Sequence, residues 1–190
     1  MLRLGVRERG ITEILGVAEH VVSVSASAAG LRLSPDDSIA RGGPASLVTL
    51  PTAPSDAARP TWDEIAAWSV TALGVAQVPA FWRALASRPR LLAAIWAKHQ
   101  LVLSAGEIAA DAKLAIALAV AMNERSDYWT GYIAAAGRTS GAFDDDVIVE
   151  IAAATLHYNS FNTISHGMML DAPHRDLLAS DFADRPDQTE

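Results

Sequence analysis

Nine consecutive apolar residues, Leu114 to Met122, lie inside a segment, Asp111 to Asn123, that is apolar on nearly every side. The run is far too short to cross a bilayer. A helix without a polar face has to be enclosed by other elements. This segment is therefore expected at the centre of a helical bundle, and its neighbours supply the enclosing faces. Leu91, Leu92, Ile95, Trp96, His99, Val102 and Leu103 share one broad helical face, and the helix carrying them starts after Arg88-Pro89 and ends near Ala105-Gly106. Trp62, Ile65, Trp68, Ala72 and Leu73 follow Pro60 and a Thr61-x-x-Glu64 capping-box pattern. Phe81, Trp82 and Leu85 begin a short helix. Ile11, Ile14, Leu15, Ala18, Val21, Val22 and Ser25 recur at helical period over residues 11–29, with Gly30 as the stop.

Beyond the central segment the chain breaks at Glu124-Arg125-Ser126. A short helix is expected from about Asp127 to Ala136, followed by Gly137 and Gly141. Asp144, Asp145 and Asp146 suit a helix N-terminus, where the macrodipole favours negative charge. That helix runs to about His166 and stops at Gly167, and Asp171-Ala172-Pro173 starts a last short one. No segment alternates at period two, so the expected class is all-α. Pro35, Gly42, Gly43, Pro44, Pro51, Pro54 and Pro60 break every candidate element between residues 34 and 60. The domain reading is an N-terminal helix in 1–33, a Pro/Gly-rich connector in 34–60, a helical domain in 61–182 and a polar tail in 183–190. Glu13-Ile14, His20, Ser23 and Gly30 have the same spacing as Glu150-Ile151, His157, Ser160 and Gly167. The match fits a degenerate partial repeat or a coincidence between two alanine-rich helices.

Composition removes several functions. The chain of 190 residues is 51% hydrophobic and 19% charged, the balance of a folded domain with a sizeable core. Its formal charge is −7, and Arg3, Arg7 and Arg9 are interleaved with Glu8, so the basic stripe needed to meet phosphates is missing and nucleic acid is not an expected partner. Cysteine is absent, which excludes disulfides, thiolate metal sites and cysteine nucleophiles. Glu13, Glu19 and His20 interrupt the N-terminal apolar stretch and make it a poor signal peptide. The default expectation is cytoplasmic, with no membrane partner. Gly42-Gly43 lacks a P-loop lysine, and no Gly-x-Ser-x-Gly elbow occurs. No cofactor and no metal are expected.

Residues 74 to 170 resemble the alkylhydroperoxidase D and carboxymuconolactone decarboxylase superfamily. The resemblance rests on the order of Val78-Pro79-Ala80-Phe81, Arg88-Pro89-Arg90-Leu91-Leu92, Gly106, Lys113-Leu114-Ala115-Ile116-Ala117-Leu118-Ala119-Val120, Asn123, Tyr128, Gly141 and Asn162. It implies an alkylhydroperoxidase D-like helical bundle, with the N-terminal helix as an addition. It also implies a trimeric or hexameric homo-oligomer. Placing Tyr128 in the family's Cys-x-x-Cys motif puts the two cysteines at Ser126 and Trp129, the histidine at Ile133 and the glutamate at Leu114. All four polar roles are lost together, and apolar residues on such helices are usually core. Within the superfamily, the decarboxylase branch does not rely on the dithiol. Two functions then stand: a cofactor-free, decarboxylase- or lyase-like enzyme acting on a small organic acid or lactone, or a non-catalytic ligand-binding or partner protein.

Thr155, Asn159, Asn162 and His166 recur along one helical stripe flanked by Tyr158. It is either a polar wall facing a pocket or a solvent-facing stripe. On the first reading His166, Asn162 and Tyr128 are the candidate catalytic residues. His157 and His99 each lie on an apolar face, where a histidine is usually a satisfied core residue, and His20 and His174 lie in less constrained contexts. The connector is long enough to carry residues 11–30 onto a neighbouring subunit, with packing in the same chain as the simpler alternative.

Peroxide reduction needs a thiolate to attack and a second thiol to resolve the sulfenic acid. We expect no alkyl hydroperoxide reductase activity above a heat-killed control, with or without a dithiol reductant. Ser126→Cys combined with Trp129→Cys should stay inactive, because Leu114 and Ile133 offer no proton relay. Turnover by either protein would refute the assignment of these positions.

Overall fold

The computed structural model describes residues 6–35 and 46–169, and the regular structure among them is entirely helical. In order, the elements are α1 (Glu8–Gly30), α2 (Arg59–Leu73), α3 (Ala80–Leu85), α4 (Pro89–Leu103), α5 (Ala110–Asn123), α6 (Asp127–Ser140) and α7 (Asp145–Gly167). No helix among the described residues is long and apolar enough to cross a membrane. The chain divides into two compact units after Thr155, inside α7. The segment Asp171-Ala172-Pro173 and the tail from Ala183 lie outside the described residues.

Local chemistry explains the boundaries, including those that differ from expectation. Helix α2 starts at Arg59, with Pro60 in its first turn, where a fixed φ and a missing N–H are tolerated. Thr61 then falls inside the helix, so the expected capping box does not form. Glu64 instead accepts a hydrogen bond from the Trp96 indole at 3.2 Å. Helix α6 runs past Gly137 to Ser140, beyond the expected end at Ala136. A Cβ at Gly137 would lie 1.9 Å from the Phe143 ring, so here the glycine serves close packing and not chain termination. Ser126 caps α6 by accepting the Trp129 N–H at 3.4 Å. Asp144 caps α7 by accepting the Val147 N–H at 2.8 Å.

In the first unit, α6 packs on α5, α2 and α1, while α1 also packs on α5 and α4. The all-round apolar α5 buries Ala117, Leu118 and Ala121, with Leu114, Ile116, Val120 and Met122 partly covered against the core. Helix α6 contributes Tyr128, Trp129, Tyr132, Ile133 and Ala136 to the interior, and is as central as α5. The early part of α7 adds Val147, Ile148 and Ile151 to the margin of the core. In the second unit, Leu156, Tyr158, Phe161 and Ile164 are exposed, and the His157 and Phe161 rings lie 4.6 Å apart.

Helix α1 packs within its own chain, the simpler of the two arrangements that its connector allows. Val17, Val21, Val24 and Ala28 form its buried stripe. Its first turns are held by a latch. Glu13 pairs with buried Lys113 at 2.9 Å, and accepts the N–H groups of Glu107 at 3.0 Å and Ile108 at 3.1 Å. Lys113 also donates to the Ser104 carbonyl at 2.7 Å, and Glu107 accepts the Arg7 N–H at 2.9 Å. The Lys113 hydrogen bond and then the two N–H groups hold the Glu13 carboxyl down at about 2. Gly106 makes room for the latch, since a Cβ there would lie 2.5 Å from the Glu13 carboxylate.

Removing one partner of a buried pair strands the other charge. Glu13→Gln should lower the thermal midpoint by several degrees, with partial recovery on adding Lys113→Met. Gly106→Ala should also destabilise. Unchanged midpoints in Glu13→Gln and Gly106→Ala would show that the latch carries no stability.

Candidate functional site

A buried cluster of aromatic rings in the first unit is centred on His99. The ring, 2% exposed, lies 5.2–5.9 Å, centroid to centroid, from those of His20, Trp68, Trp82, Trp96, Trp129 and Tyr132. Four helices build this enclosure, and a fifth contributes His20. Burying polar edges among aromatic rings requires partners, and a chain of hydrogen bonds supplies them. Trp82 Nε1 donates to the Tyr132 hydroxyl at 3.2 Å. That hydroxyl lies 3.5 Å from His99 Nε2, a long contact, while His99 Nδ1 lies 3.0 Å from His20 Nε2. The Trp129 indole donates to the Val24 carbonyl of α1 at 2.9 Å.

Burial, followed by the charge of Lys98, pushes the His20 pKa down to about 4, against a smaller opposing pull from Glu19. Burial, followed by His20, pushes His99 to about 3. Both rings are therefore neutral near pH 7, and the 3.0 Å contact holds one shared proton. On the surface above them, Lys98 and Glu19 form an ion pair between the same two helices.

Tyr132 also faces a cavity of about 340 Å³, lined by Pro35, Leu73, Val75, Gln77, Val78, Pro79, Tyr128, Gly131, Tyr132 and Ala135. The floor is buried Val78, Tyr128 and Tyr132, and exposed Val75 and Gln77 lie at the rim. This volume is near the lower end of the range for small-molecule pockets, roughly 300–1,000 Å³. Tyr128 and Tyr132 stand one turn apart on α6, with rings 26° from parallel. The Tyr128 hydroxyl accepts the Phe81 N–H at 2.9 Å, which ties α3 to this wall. Gly131 lies between them in sequence, and a Cβ there would meet nothing within 4 Å.

The residues singled out in the sequence are distributed unevenly. Tyr128 lines the cavity, whereas Asn162 and His166 are exposed and belong to the second unit. Ser126, Trp129 and Ile133 are buried, and Leu114 packs against the core. His99 and His20 meet across 79 positions of sequence, a pairing that no local spacing encodes. The one sequence signal was the place of His99 on an apolar face. No group of three or more metal-ligating side chains occurs among the described residues. Against known proteins, no family model, curated protein or solved structure matches the chain.

The histidine pair makes stability depend on pH in a defined direction. Above the ordinary histidine value of 6.5 the rings are neutral in both the folded and unfolded states. As pH falls below 6.5 the unfolded chain takes up protons that the folded one refuses until about 4 for His20 and 3 for His99. Their contribution is thus present at neutral pH and is lost over that window, at up to about 1.4 kcal/mol per pH unit for each proton. Glu13 loses its contribution lower, between 4.5 and about 2. Urea midpoints measured from pH 7.5 to 4 should fall, and His20→Gln should flatten the slope even as it lowers stability. An unchanged slope in that variant would contradict this assignment.

Proposed function

We propose that this protein is a cysteine-free, alkylhydroperoxidase D-like bundle related to the carboxymuconolactone decarboxylases, acting without a cofactor on a small organic molecule held against Tyr132. The observation that carries the reading is the double membership of Tyr132: it lines the cavity and its hydroxyl joins the buried histidine pair. The site suits proton transfer at a carbon beside a carbonyl, chemistry open to lactones and other enolisable compounds. As the Tyr132 oxygen accepts the ligand's proton, its own proton passes to His99 Nε2, and the His99 Nδ1 proton passes to His20 Nε2. The ligand becomes an enolate and His20 a cation. Burial makes His20 a reluctant terminus, so the proton returns quickly, which fits an isomerisation or a lyase step. Positioned acid–base groups of this kind contribute about 10²- to 10⁴-fold.

A trimeric or hexameric assembly belongs to the same proposal. Leu15 and Val22, exposed on one stripe of α1, are apolar surface available to it. A monomer's mass in sedimentation would remove this part.

The core packing of Trp129, Ile133 and Leu114 at the positions of the family's relay supports a second reading, a non-catalytic ligand binder. Proton exchange separates the two. A lactone or aryl ketone incubated with the protein in D2O should incorporate deuterium beside its carbonyl, followed by NMR. Tyr132→Phe should slow incorporation by 100-fold or more while ligand-induced thermal stabilisation persists. Binding without protein-dependent incorporation would favour the binder, and equal incorporation by Tyr132→Phe would remove the proton-transfer role.

A further inference from the structure

We propose that Trp82 is a positioning residue for the reaction at Tyr132: its indole N–H holds the tyrosine oxygen and stabilises the negative charge that gathers there as the Tyr132 proton leaves for His99. The inference rests on the reading of Tyr132 as the group that takes the ligand's proton. Trp82 is fully buried, and its Nε1 donates to the Tyr132 hydroxyl at 3.2 Å. An indole N–H donates and does not accept. The phenolic hydrogen must therefore point elsewhere, and His99 Nε2 lies 3.5 Å from the same oxygen. A hydroxyl or an imidazole at position 82 could accept that hydrogen and divert it from the histidine pair.

The contact is also of a kind that strengthens during the reaction. At 3.2 Å it stands at the long end of the N–H···O range. Hydrogen bonds to an ionised oxygen are shorter and roughly twice as strong, and a low local dielectric magnifies the gain. The neutral phenol is thus held loosely and the developing phenolate tightly, and that difference is what lowers a barrier. The donor is already in place when the charge appears. The rings of Phe81, Trp96, His99 and Trp129 lie 5.0–6.2 Å, centroid to centroid, from that of Trp82. The short helix α3 is tied down on either side of it. The Phe81 N–H donates to the Tyr128 hydroxyl at 2.9 Å, and Arg83 Nε donates to the Pro51 carbonyl at 3.1 Å.

The test removes the N–H and keeps the rings. Trp82→Phe would also open a hole in the core. The decisive variant therefore carries a benzothiophene side chain at position 82, with the same two fused rings and sulfur in place of the N–H. Deuterium incorporation into a lactone and an aryl methyl ketone is followed by NMR over a range of probe concentrations, and circular dichroism verifies the fold. The kcat for exchange should fall about tenfold while KM stays within about twofold. The resonance of the hydroxyl-bearing ring carbon of Tyr132 should move as its oxygen loses the donor. A fluorinated tryptophan at the same position, which keeps the N–H and makes it more acidic, should retain or raise kcat. An unchanged kcat in the folded benzothiophene variant, a rise in KM without a fall in kcat, or an equal fall in the fluorinated variant would overturn the inference and leave Tyr132 as the reacting group. If the unaltered protein incorporates no deuterium into either probe, the reading of Tyr132 falls and the inference falls with it.

Discussion

The rest of the first unit is organised around one demand, that a histidine buried among tryptophans be given hydrogen-bond partners. His99 cannot reach water, and desolvation is too costly for it to carry a charge near neutrality. Its two nitrogens must find partners on other helices, and they find Tyr132 on α6 and His20 on α1. Trp82 on α3 completes the chain through Tyr132. Four helices are thereby held in register by directional contacts inside a core that is otherwise apolar and tolerant of sliding. Such a network specifies one arrangement, because a partly satisfied one would leave buried polar atoms exposed to nothing that can pair with them.

The same demand accounts for the place of α1. A helix at the end of a long connector has little to fix it through the chain, so its position has to come from tertiary contacts. It is tied at two levels. Near its start the Glu13 carboxylate receives Lys113 and two backbone N–H groups, in a space kept open by Gly106. Farther along, His20 enters the aromatic enclosure and the Val24 carbonyl accepts the Trp129 indole. A charged latch and a neutral relay act on one helix and weaken in different acidic ranges, since one depends on a carboxylate staying ionised and the other on imidazoles staying neutral.

The interior of the first unit places its polar chemistry away from the positions where the resemblance would put it. The four positions that the resemblance assigns to polar chemistry hold a helix cap, an indole and two aliphatic side chains, and these pack in or against the core. The histidines and the tyrosine that meet in the interior come from α1, α4 and α6 instead. They reach the cavity through a tyrosine, Tyr132.

By itself the sequence determined the helical class, most of the element starts and stops, the capping role of the Asp144 region and the burial of α5, because these depend on period, turn residues and local side-chain chemistry. It also determined that no thiol chemistry is available. It misled at Thr61 and Gly137, where a proline-led helix start and a close ring contact overrode the local signal. Tyr128 could be singled out from its place in the resemblance, but the stripe of Asn162 and His166 looked equally well placed for a site and is solvent-exposed in the structure. Only the tertiary structure decided that α1 packs at home, that Lys113 is buried against Glu13, and that His20 meets His99. The physical reason is distance along the chain. A helical period reports which side of a helix turns inward, and says nothing about which inward-facing residue, 79 positions away, will supply the matching hydrogen bond.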